Sequence, residues 1–188
     1  MFLDIGVGIL AALFVGHQFG ATITPIFLCI SIIFALLPDI DMVTYPLEHD
    51  VNHKGYKHRD LAHYPLIFVP LGTALVYMAW GEIYATLFAI ATLCHFIHDS
   101  IGIGRGVKWL FPFSKNAYAF IYLYSRTVRR GLWKPIFRFR TTEDYERFDR
   151  EHGDENWFNN IYQSWHPYAI IEFVFFLMSV VILLFNIY

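Results

Sequence analysis

The run Ile83–Ile101, IYATLFAIATLCHFIHDSI, decides how this chain is read. It is apolar as far as Cys94 and then carries His95, His98 and Asp99 in its last turns. Its length is close to the ~20 residues that cross a hydrocarbon core. On a helix, His95 and Asp99 are i and i+4, and His95 and His98 are i and i+3, so the three groups share a neighbourhood. Ionisable groups at membrane depth are costly and are functional candidates by default.

Four more apolar segments surround this one: about 2–19, 21–37, 64–80 and 168–188. The expectation is therefore an all-α, polytopic membrane protein of about five transmembrane helices, forming a single domain over 1–188. Short turns at Gly20-Ala21 and Gly81-Glu82 make hairpins of the first and second pairs of segments. Composition agrees. Apolar residues are 56% of the 188, charged residues 16%, and the net charge is −2. An ordinary soluble domain carries about 25% charged residues. The balance excludes a disordered chain and a nucleic-acid binder that works through overall basic charge. Cys29 and Cys94 lie in apolar runs, outside any C-x-x-C pair, and read as small buried residues. Met1-Phe2-Leu3-Asp4 lacks the basic start of a signal peptide, so the first segment is expected to be a retained membrane helix.

All 14 Lys and Arg fall in two stretches, 54–59 and 105–150. With five spans, both lie on the N-terminal side, and the positive-inside rule puts that side in the cytoplasm of a prokaryotic inner membrane. Residues 102–166 form a cytoplasmic basic-aromatic and cap region. Within it Arg126–Arg140 holds six basic residues and no acid, interleaved with aromatics. That composition suits an interfacial segment on anionic lipid headgroups. Thr141-Thr142-Glu143-Asp144 reads as a helix start, with a capping hydroxyl and acids in the first turn, and Gly153 as a stop.

Further Asp and His residues collect on the same face. The second segment ends in Leu37-Pro38-Asp39-Ile40-Asp41. His58-Arg59-Asp60-Leu61-Ala62-His63 leads into the third, and Asp4 opens the first. Ligands drawn from Asp and His without thiolate suit Zn²⁺ first, and also Mn²⁺ or Fe²⁺. The expected metal ligands are Asp39, Asp41, His63, His95, Asp99 and Asp4. Asp41 or Asp60 would accept a proton, and Arg59, with Lys108, would grip an anionic oxygen. His166 and Glu172 are candidates to close the site from the last helix. His98 reads as a supporting or surface residue, and His49, His53 and His17 as solvated or interfacial. No serine nucleophile is indicated, since G-x-S-x-G is absent.

At these motifs the chain resembles the YdjM-like, membrane-bound, predicted metal-dependent hydrolases of bacteria and archaea. The likeness rests on Leu37–Asp41, His58–His63 and His95–Ser100, followed by Gly106-Val107 and Phe111-Pro112-Phe113, and runs from about residue 1 to 114. It implies site roles for Asp39, Asp41, His58, His63, His95 and Asp99. Where the family usually has a His near the start of its first helix, this chain has Asp4, and a common Ser is replaced by Tyr64. A looser likeness to zinc-dependent phospholipase C sites favours phosphoester chemistry. The expected function is a metal-dependent hydrolase acting on a phosphoester, lipid-linked or soluble, at the cytoplasmic leaflet. The alternatives are a structural, sensing or transport metal site, or a membrane scaffold.

Overall fold

The computed structural model describes residues 2–40, 63–101, 106–120, 136–152 and 156–187. Asp41, His49, His53, His58, Arg59 and Asp60 lie outside these residues, as do Arg126, Arg129, Arg130 and Lys134.

Seven α-helices and one two-stranded sheet make up the described chain: α1 (Phe2–Phe19), α2 (Pro25–Leu36), α3 (Pro65–Trp80), α4 (Glu82–Asp99), β1 (Ala117–Phe120), β2 (Ile136–Phe139), α5 (Thr142–His152), α6 (Trp157–Tyr162) and α7 (Pro167–Ile187). Helix α2 starts where Thr24 Oγ1 accepts from Phe27 N at 3.1 Å, with Pro25 at the first helical position. It stops because Pro38 cannot continue the ladder. The chain tightens into a 3-10 turn over Leu37–Ile40. Helices α3 and α4 reverse at Gly81, whose φ of 83° is a conformation that favours glycine.

Helix α1 is the central element. It packs against α2, α4 and α7. Gly8 allows the closest approach: a Cβ there would sit 2.7 Å from Ile32 Cα, and Ser31 Oγ donates to Gly8 O at 2.6 Å. Ala11, Ala12 and Val15 of α1 meet Phe27 and Phe34 of α2 and Leu87, Phe88 and Ala91 of α4 in the apolar core. Helix α7 runs beside α1 in the same direction. The Phe2 ring lies 5.7 Å from Phe173, and Gly6 faces Phe175 and Ser179.

The expectation of about five membrane spans is overturned. Among the described residues only α1 and α7 are long and apolar enough to cross a membrane. The second segment gives a 12-residue helix, ended ahead of Pro38, and the third a 16-residue helix, ended by Gly81. The fourth reaches 18 residues, but Glu82, His95, His98 and Asp99 within it make it too polar. Helix α7 looks outward along most of its length, with Ile171, Phe173, Leu177, Met178 and Phe185 exposed. That surface suits lipid contact.

The polar region also holds the strands, which composition had hidden. β1 and β2 pair antiparallel, Ala117 opposite Phe139 and Ala119 opposite Phe137. Phe137 and Phe139 are buried while Ile136 and Arg138 point out, the period of two that a half-buried strand requires. Tyr145 of α5 completes this small core. Thr141 Oγ1 accepts from Asp144 N at 3.2 Å at the start of α5.

Candidate metal centre

Three chain turns converge at one end of the bundle. The 3-10 turn after α2 re-aims Asp39 away from the helix axis. His63 precedes Pro65, the first residue of α3. Helix α4 brings His95 and Asp99, one turn apart, along the same edge. Among the described residues, Asp39, His63, His95 and Asp99 each offer a ligand atom, all within 4.8 Å of one another.

The edges of this group are short. His63 Nε2 lies 2.9 Å from Asp99 Oδ2 and 3.9 Å from Asp39 Oδ1. His95 Nε2 lies 3.5 Å from Asp99 Oδ2 and 3.6 Å from Asp39 Oδ1. Ligands ~2.0–2.2 Å from a tetrahedral ion stand about 3.4 Å apart, so these four distances lie near the edge length such an ion needs. The donor chemistry fits as well. His95 is 1% exposed, and its Nε2, which faces Asp39 and Asp99, has no hydrogen-bond partner among the described residues. A buried imidazole nitrogen facing two carboxylates without a hydrogen bond is what a cation would satisfy. Asp39 retains 28% side-chain exposure and gives the group its open side.

Asp4 stands behind this group. Its Oδ1 is 3.1 Å from His95 Nδ1, the nitrogen away from Asp39 and Asp99, and 2.9 Å from His98 Nδ1. Carboxylates in this position fix the tautomer and orientation of ligand imidazoles. His98 then reaches the last helix: its Nε2 is 2.9 Å from Tyr168 Oη and 3.3 Å from Glu172 Oε1. Tyr162 donates to the same Glu172 oxygen at 3.2 Å. Asp4 and Glu172 are each 1% exposed. A buried polar chain thus links α1, α4, α6 and α7 beside the metal-ligand group. Sequence reasoning missed Tyr162 and Tyr168. Tyr168 stands i−4 to Glu172, a spacing that could have flagged it.

Electrostatics follow from this enclosure. Burial alone would lower the His95 pKa, but the Asp39, Asp4 and Asp99 carboxylates outweigh it and push the imidazole up to about 12. Burial likewise opposes charge on His98, and Asp4 and Glu172 overcome it, raising His98 to about 9. Burial raises the Tyr162 phenol, which stays protonated and donating. The centre is an anionic cavity that demands positive charge, whether protons or a metal ion.

The other candidates fall elsewhere. Glu172 meets His98 and Tyr162. His166 is buried and its Nδ1 accepts from Tyr168 N at 3.2 Å. His17 is exposed at the far end of α1. Lys108 Nζ lies 5.7 Å above the Tyr64 ring, next in sequence to His63.

These features define a helical membrane protein with a carboxylate–imidazole group able to hold a divalent metal ion at one end of its bundle. The chain belongs to the YdjM inner membrane protein family, whose model matches residues 4–187. The match therefore reaches well past residue 114, through the strands and α7. No curated protein and no solved structure matches the chain. Family and apolar helices together give the protein its membrane location.

Proposed function

We propose that the protein is a metal-dependent hydrolase whose centre opens at the cytoplasmic headgroup level and acts on a phosphoester. The observation that carries this reading is the four-residue group itself: two imidazoles and two carboxylates whose ligand atoms all lie within 4.8 Å of one another, with one carboxylate partly exposed. Asp39, His63, His95 and Asp99 would hold the ion, Zn²⁺ in the first instance, with Mn²⁺ or Fe²⁺ as alternatives. When bound there, such an ion would supply Lewis-acid chemistry and a water that ionises near pH ~7. The chain's own residues do the rest. Asp4 holds His95 in position. Asp41, two residues beyond Asp39, or Asp60 takes up a proton. Arg59, His58 and Lys108 neutralise an anionic substrate oxygen.

The depth of the centre supports a membrane-surface reaction. Asp4 is in the first turn of α1 and Glu172 in the second turn of α7, the two membrane-length helices. Both stretches that carry Lys and Arg leave from and return to this end. Positive-inside bias favours its cytoplasmic placement, and Arg126–Arg140 supplies cations for anionic headgroups. A purely structural metal is the second reading, favoured by the fact that the four ligands tie α2, α3 and α4 together.

Hydrolysis of bis(p-nitrophenyl) phosphate by the full chain, loaded with Zn²⁺ or Mn²⁺, separates the two. Turnover above background, reduced about 100-fold in Asp39→Asn and His63→Ala, is the expected result. Metal binding without turnover on this or any lipid phosphoester would favour the structural reading.

A further inference from the structure

An apolar groove of about 440 Å³ starts beside the metal-ligand group and runs along α3. Its lining includes Leu37, Tyr64, Ile67, Leu71, Leu75 and Phe88. Leu37 is two residues from Asp39, and Tyr64 is the neighbour of His63. One end of the groove is thus built by residues that adjoin two members of the metal-ligand group in the chain. From Tyr64 to Val76 an α-helix rises ~18 Å at ~1.5 Å per residue. Over that length the groove has room for an extended hydrocarbon chain at ~4.0–4.5 Å carbon contacts.

The mouth has a different chemistry from the floor. Tyr64 stacks on Phe111 at 4.3 Å, and the Lys108 ammonium sits over the Tyr64 ring. An aromatic pair and a cation at the entrance, with carbon beyond, match an amphiphile with an anionic head. Gly72 fits the same picture: a Cβ there would run into the Phe88 ring that lines the groove wall.

We infer that this groove binds a single hydrocarbon chain of an amphiphile whose anionic phosphate head is presented at Asp39, His63 and Lys108. The inference rests on the hydrolytic reading and names its substrate class, a long-chain phosphoester.

Photolabelling tests it. The full chain in phosphatidylcholine nanodiscs is irradiated with dodecyl phosphate carrying a terminal diazirine, and labelled residues are mapped by mass spectrometry. Labels should concentrate on residues 71–76 and on Phe88. Unlabelled dodecyl phosphate should compete at least tenfold better than butyl phosphate or inorganic phosphate, because each added methylene in the groove strengthens binding. Leu71→Trp fills the groove from a position that is 58% exposed, so folding is spared, and should remove most of the labelling. Labels spread evenly over the outward face of α7, or unchanged labelling in Leu71→Trp, would overturn the inference and leave ordinary lipid-facing surface. Cross-links from 71–76 to another chain would overturn it in favour of a dimer contact. Metal content is read on the same samples. Groove labelling without metal would remove the hydrolytic centre and keep the groove, whereas metal without groove labelling would remove the groove alone.

Discussion

Asp4 and His95 meet at 3.1 Å, carboxylate Oδ1 to ring Nδ1, across the packing of α1 against α4. The contact turns the other ring nitrogen toward Asp39 and Asp99. A residue in the first turn of the chain's first helix thereby sets the orientation of an imidazole ninety-one positions later.

Asp4→Asn keeps the shape and removes the charge. Metal affinity should fall about 10–100-fold, the usual cost of losing a carboxylate that supports a ligand histidine. Competition with a fluorescent chelator measures it. Unchanged affinity would mean that Asp4 serves only packing.

His98 makes stability depend on pH. Its pKa is raised from 6.5 to about 9 in the folded protein. The stabilisation is complete below about 6.5, where folded and unfolded forms both carry the proton, and is lost as pH rises through about 9. Thermal unfolding in detergent should therefore show Tm falling across that window, and His98→Asn should flatten the dependence.

Gly8→Ala tests the close packing of α1 on α2. The added methyl would meet the Ile32 backbone, and overpacking of this kind costs about 1–3 kcal/mol. Reversible unfolding in mixed micelles reads the loss, while metal content of the folded fraction should stay unchanged.

The proposed orientation puts the starts of α1 and α7, which run in the same direction, on the cytoplasmic side. A cysteine at Lys115 should react with an impermeant thiol reagent only from the cytoplasmic side, and one at Gly20 only from the opposite side. The reverse pattern would contradict the proposed placement of the centre.

Much of this was legible in the residues, but unevenly. The apolar runs located α1 to α4 and α7, and Gly81 and Pro38 marked where elements turn or stop. Apolar length overstated the membrane spans, because an apolar run does not say how much of it is helix. Helix α2 begins only at Pro25, four residues into its run, whereas α3 fills its run but the run is itself only 16 helical residues long. The strands escaped notice because Ile136–Phe139 lies in a basic, aromatic stretch whose composition suggested a lipid surface. At the site, helical spacing was enough to pair His95 with Asp99. That Asp39 and His63 join them, and that Asp4 meets Nδ1, depends on packing between helices far apart in sequence. No local pattern encodes that.

The most direct measurement is the metal content of detergent-purified protein, by mass spectrometry, for wild type and a His95→Ala/Asp99→Ala double variant. Circular dichroism on both samples checks that they remain folded. About one equivalent of a transition metal in wild type, as a four-ligand centre holds, lost in the folded double variant, is the result this account predicts. Wild-type protein that takes up no Zn²⁺, Mn²⁺ or Fe²⁺ even after reconstitution would contradict it.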